Sequence, residues 1–277
     1  MDIIGGILWP IKWVIEAILV GFHSLLSMAG MESAAGITWV LSICGLVVVV
    51  RAALIPVFVR QNKYKGKKDQ FSREAMSRDT MALYKKHGTN PLSSCLPLLL
   101  QMPIFFGLFS VLNDAYADRP GVGLLDTRLS AEFGSAELFG IAPLGSSIAS
   151  SEGNVAVIVI AVILVVLMTS SQFITQLQIM SKNQSPEMKA SPMYRQQRIM
   201  LYLLPLVFVF SGFAFPIGVM FYWFTSNIWT MVQQFIVIRN MPTPGSEAAQ
   251  AREARLARKR QRKGIPDPDD EAPGTVA

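Results

Sequence analysis

The sequence predicts an all-α, polytopic integral membrane protein with a core of five membrane-spanning helices, and three observations predict it. Its 277 residues include only 16% charged side chains, against about 25% in an average soluble domain, with 51% hydrophobic residues and a mean hydropathy of +0.39. The apolar residues gather in long uncharged windows rather than in single helical stripes. The remaining charges sort by loop into basic and acidic sets.

Residues 1–35 form the first element. The stretch 3–27 is apolar but carries Lys12, Glu16 and His23 on one helical face. That pattern suits an amphipathic helix lying in the membrane interface better than a span. A signal peptide fits less well, because there is no basic start or clear cleavage site and two charges interrupt the apolar run.

Residues 36–240 form the core. Crossing about 30 Å of hydrocarbon takes roughly 20 apolar residues. Gly36 to Val59 holds a single charge, Arg51, while Leu92–Leu112 and Asn154–Ser181 hold none. Ile199–Ile238 is uncharged over forty residues, too long for one span, with Phe215-Pro216 and Gly218 near its centre to break it. The spans are therefore placed at about 36–58, 92–113, 154–176, 199–215 and 218–238. Between the first two, residues 60–90 form a cytoplasmic segment with a good helix-forming run from Ser72 to Lys86, stopped by Gly88 and Asn90-Pro91. Residues 241–277 form a basic tail, a helix or a disordered arm over 251–263 and largely disordered overall.

Orientation follows from the excess of Lys and Arg in cytoplasmic loops. Loop 60–88 has nine basic and three acidic residues, loop 113–153 two and six, loop 177–198 four and one, and the tail 239–277 eight and six. The N-terminus is thus expected outside and the C-terminus inside. The net charge of +6 becomes a topology signal rather than a sign of nucleic-acid binding.

Arg51 lies about eight residues, roughly 12 Å, before the cytoplasmic end of its span. A charge at that depth is costly unless it meets water or a partner, and no span contains Asp or Glu to pair with it. Polar residues crowd the same half of other spans: Gln101 in the second, Gln172, Gln176 and Gln178 in the third, and Ser226, Asn227, Thr230, Gln233 and Gln234 in the fifth. Interhelical hydrogen bonding accounts for such residues in general; their bias to one leaflet points to a hydrophilic cavity open to the cytoplasm and sealed outside.

Catalysis is not expected. Two cysteines (Cys44, Cys95) and two histidines (His23, His87) leave little for metal or triad chemistry, no nucleotide motif is present, and no cofactor is implied. A small-solute transporter or channel is the alternative reading. It lacks intramembrane carboxylates for proton coupling and an internal repeat.

The residues that carry these features resemble a family. Val47-Val-Val-Val-Arg51-Ala-Ala-Leu-Ile-Pro56 is similar to the first core span of the YidC/Oxa/Alb membrane protein insertases. Met81-Ala-Leu-Tyr-Lys85, Asn90-Pro-Leu-Ser-Ser-Cys-Leu-Pro97 and Leu100-Gln-Met-Pro-Ile-Phe105 resemble the entry into its second span. Phe221-Tyr-Trp-Phe-Thr-Ser-Asn227, with Gln233-Gln234, resembles its last. The resemblance covers about 40–240 and keeps order and spacing. It implies a bacterial plasma-membrane insertase and chaperone whose five-span core surrounds a groove open to the cytoplasm and lipid, with a cytoplasmic helical hairpin about a dozen residues shorter than usual. It implies a groove lined by Arg51, Gln101, Gln172, Gln176, Gln178, Tyr222, Trp223 and Asn227, with Arg51 attracting the acidic extracellular tails of substrates. The implied partners are nascent membrane proteins and the lipid bilayer. The Sec translocon and the ribosome join them through the basic loops and tail, and the monomer is the functional form.

Overall fold

The computed structural model describes residues 3–72, 96–117, 119–190 and 192–265. The chain divides into two compact units, Met1–Thr169 with Leu206–Trp229, and Ser170–Pro205 with Thr230–Ala277. The described residues are almost entirely helical, as the uncharged windows require: a backbone in hydrocarbon must satisfy its own hydrogen bonds.

In the first unit, α1 (Ile3–Met28) packs against α2 (Gly36–Ser72) and α3 (Leu96–Tyr116). The polar face of α1, read in sequence as the mark of an interfacial helix, is spent on protein. Lys12 Nζ bonds Asp114 at 2.8 Å and Ser110 at 3.2 Å. Glu16, fully buried, accepts from the backbone N–H groups of Val122, Gly123 and Leu125. His23 meets the carbonyl of Ser33 at 2.9 Å and stacks on Trp39 with ring centroids 3.9 Å apart.

The segment that Glu16 grips is ordered beyond what the sequence suggested. It contains α4 (Thr127–Gly134), N-capped by Asp126, and two short antiparallel strands, β1 (Glu137–Leu138) and β2 (Ala142–Pro143). Gly121 must be glycine, because a Cβ there would lie 2.5 Å from the Glu16 carboxyl group. Phe133 of α4 is fully buried between Trp39 and Tyr116, so α4 closes this end of the helices with aromatic rings.

Asn154 caps the next helix by accepting from Ala156 N, and α5 runs Val155–Lys182. Next come α7 (Pro192–Ala214), which follows a four-residue turn of helix, α6 (Pro186–Lys189), and α8 (Ile217–Asn240). The break between α7 and α8 falls at Phe215-Pro216, as expected. Its freed backbone groups are taken up by the preceding loop: Ala149 N donates to Phe213 O, Ile217 N to Ser146 O and Gly218 N to Leu144 O.

In the second unit, the end of α5, α6, the start of α7 and the end of α8 are joined by α9 (Glu247–Arg262), N-capped by Ser246. Thr243 N donates to Asn183 Oδ1 at 2.8 Å, and Gln184 Nε2 to Gln197 Oε1 at 2.5 Å. Of the two readings of the tail, helix or disordered arm, the helix is the one seen, over sixteen residues; Ala, Arg, Lys, Glu and Gln are all strong helix formers.

Four helices among the described residues are long and apolar enough to cross a membrane: Leu8–Met28, Gly36–Pro56, Val155–Lys182 and Gln197–Ala214. Three coincide with expected spans, and the fourth is the segment read as interfacial. Ser226, Asn227, Thr230, Gln233 and Gln234 dilute the hydropathy of α8. The helix α2 runs to Ser72, well past the expected end of the first span. The rest of the segment expected to form a cytoplasmic hairpin, with Met81–Lys85 and Asn90 to Cys95, lies outside the described residues.

Candidate functional site

The site begins with Arg51. Apolar residues on either side, from Leu46 to Pro56, hold it in α2, and its side chain is half-buried. The guanidinium donates to the hydroxyl of Ser226 on α8 and interacts electrostatically with Tyr222, one turn before Ser226. Among the described residues no carboxylate lies within ion-pair distance of Arg51. The partner is neutral, so the positive charge is left uncompensated.

The same two helices touch again two turns earlier along α2 and one residue earlier on α8, where Cys44 Sγ lies 3.2 Å from Thr225 Oγ1. That hydroxyl donates back to Phe221 O. On the α5 side, Asn227 is buried and its Nδ2 donates to Met168 O at 3.4 Å. In the run Thr225-Ser226-Asn227 the first two polar side chains meet α2 and the third turns to α5, a spread that the 100° rotation per residue allows.

Trp223 faces elsewhere. Its ring lies 5.1 Å from Phe105, 5.4 Å from Phe208 and 5.7 Å from Phe215. These contacts make an aromatic cluster of α3, α7 and α8 in which edge-on arrangements dominate, the favourable geometry for such rings. Tyr222, buried, reaches the same cluster through Phe105 at 6.4 Å.

Of the eight residues expected to line the groove, Arg51, Gln101, Tyr222, Trp223 and Asn227 are held by the first unit. Arg51 and Tyr222 come together; Asn227 and Trp223 are turned to α5 and to the aromatic cluster. Gln172, Gln176 and Gln178 are half-buried and belong to the second unit, where Gln178 lines a cavity with Arg239 and Arg255. Gln101 is in α3, with its side chain outside the described residues. Ser226, the acceptor for Arg51, was only one of five polar residues of its span, and its signal in sequence is its place one turn after Tyr222.

Comparison with known proteins settles the family. Residues 30–244 match the family described as 60Kd inner membrane protein. The chain belongs to that family, the YidC/Oxa group. It is 42% identical to the membrane protein insertase YidC of Tropheryma whipplei (strain Twist), over 92% of this chain and 91% of that one. It is 42% identical to that of Streptomyces avermitilis, over 87% of this chain and 60% of that one, and 34% identical to that of Bifidobacterium longum, over 96% and 86%. With its apolar helices and these relatives, the chain is a multi-pass bacterial membrane protein.

Proposed function

We propose that this protein is a membrane protein insertase that acts without chemical catalysis, offering incoming spans a hydrophilic groove with Arg51 at its base. The relatives in its family carry that function in their names. The observation that carries the site is an embedded guanidinium bonded to a neutral hydroxyl, with no carboxylate beside it among the described residues. Such a group attracts an anionic segment, and its planar fork carries five N–H donors with which to hold one.

The energetics fit a passive device. Each Leu, Ile, Phe or Val of a substrate span gains about 0.3–0.6 kcal/mol at the bilayer centre. The obstacle is the polar tail that must cross, and a cation part-way shortens its path. An inside-negative potential adds about 2.3 kcal/mol per 100 mV for each acidic charge moved outward. The closed end is supported by the packing of Trp39, Phe133 and Tyr116, roughly 18 Å along α2 from Arg51. The loop charges support an orientation with that end outside. Nascent membrane proteins are the substrates. The basic cytoplasmic segments suit the ribosome and a Sec translocon as partners, and the monomer is the working unit.

The test is insertion into proteoliposomes of single-span substrates whose tails carry zero to three acidic residues. Arg51→Ala is expected to lower insertion of the most acidic tail roughly tenfold, about 1.4 kcal/mol, with Arg51→Lys milder and the uncharged tail little affected. Equal insertion of all tails by wild type and Arg51→Ala would remove the electrostatic role.

A further inference from the structure

A second polar site lies wholly within the second unit, where α5, α8 and α9 converge on a cavity of about 310 Å³. Lys182 comes to it from the last turn of α5, Arg239 from the last turn of α8 and Arg255 from the middle of α9. Phe235 and Ile238 supply an apolar wall. Among the described residues none of the three cations is in an ion pair, although Glu247 lines the same cavity.

The arrangement is built rather than incidental. Arg255 donates to the backbone carbonyl of Arg239 at 2.5 Å, which caps the end of α8 and holds the guanidinium at the cavity. Gln178 also lines the cavity, and its side-chain carbonyl oxygen is buried with no hydrogen-bond partner among the described residues. Three cations ask for an anion. An apolar wall, continuous with the exposed Val232, Phe235 and Ile236 of α8, asks for a hydrocarbon chain beside it.

We propose that this cavity binds the headgroup of an anionic phospholipid, with Lys182, Arg239 and Arg255 on the phosphate. Glu247 accepts from hydroxyl groups of the head, and the acyl chains run along the apolar flank of α8. Basic pockets among membrane helices near the bilayer surface take such headgroups. A planar guanidinium fork suits phosphate oxygens better than a point charge does. An amphiphile satisfies the cations and the apolar wall together, which free phosphate does not.

The test is native mass spectrometry of the full chain in detergent with equimolar phosphatidylglycerol and phosphatidylcholine. Wild type is expected to retain phosphatidylglycerol preferentially. Lys182→Gln/Arg239→Gln, which leaves the Arg255 bond to a backbone carbonyl in place, is expected to lower that preference roughly tenfold or more. Arg258→Gln/Arg262→Gln removes the same charge from α9 away from the cavity and is expected to keep the preference. Equal losses in the two variants would reduce the effect to diffuse attraction and overturn the site. Inorganic phosphate and glycerol 3-phosphate form a separate arm: failure to displace the lipid supports the proposal, and displacement at millimolar concentration would make this a free-phosphate site and overturn it. Circular dichroism checks the fold. If the double variant misfolds, Lys182→Gln alone is expected to lower the preference about fivefold, and an unchanged preference would overturn the proposal.

Discussion

Glu16 shows how much one side chain can organise. A carboxyl group with no exposed surface is tolerated only when its oxygens are fully engaged, and here three backbone N–H groups around Gly123 converge on it. Glu16→Gln keeps one acceptor and turns an amide NH₂ toward a donor. The substitution is expected to cost about 2 kcal/mol, seen as a lower unfolding temperature in detergent. The exposed Glu32→Gln should change it little. In the sequence, Lys12, Glu16 and His23 were legible as one face, but not what they face: the partners of Lys12 and Glu16 lie about a hundred positions away, where no local pattern names them. Arg51 was legible for the opposite reason, since a lone charge in uncharged windows stands out by itself.

At the scale of elements, long apolar runs gave themselves away and short elements did not. The α7–α8 break fell where Pro216 removes a backbone donor. Helix α4, of eight residues, and the two-residue strands have too few positions to display a period. The tail helix α9 was legible as one of two readings, helix or disordered arm, but its start was not, because that depends on a single cap. Ser246 is buried, accepts from Ala249 N at 3.2 Å and donates to Thr243 O at 2.6 Å. A helix of sixteen residues is marginal by itself, so Ser246→Ala is expected to cost about 1 kcal/mol. Amide exchange at Ala249 and Gln250 would rise about fivefold for that energy, while Ser246→Thr, which keeps both bonds, would stay near wild type. Unchanged exchange in Ser246→Ala would mean that packing, not the cap, sets the start of α9.

At the scale of the whole molecule the informative quantity is where charge sits. The acidic loop 113–153 and the basic segments 60–88, 177–198 and 239–263 demand opposite sides of the membrane if the bias of Lys and Arg to the cytoplasm holds. Arg51 sits in α2 between the aromatic closure at Trp39 and the basic stretch that begins at Arg60. Orientation therefore decides what its charge can do. With the basic segments inside, Arg51 would lie nearer the cytoplasm, and its proposed role is to draw an acidic tail into the membrane from the side where it is made. With them outside, the same arginine would face the wrong compartment. Labelling settles the matter in a chain whose Cys44 and Cys95 are replaced by alanine. The exposed positions give Glu152→Cys and Arg258→Cys as reporters. A membrane-impermeant maleimide added to intact cells is expected to modify Glu152→Cys at once and Arg258→Cys only after permeabilisation. The reverse pattern would invert the topology and, with it, remove the physical basis for a tail being drawn outward by Arg51.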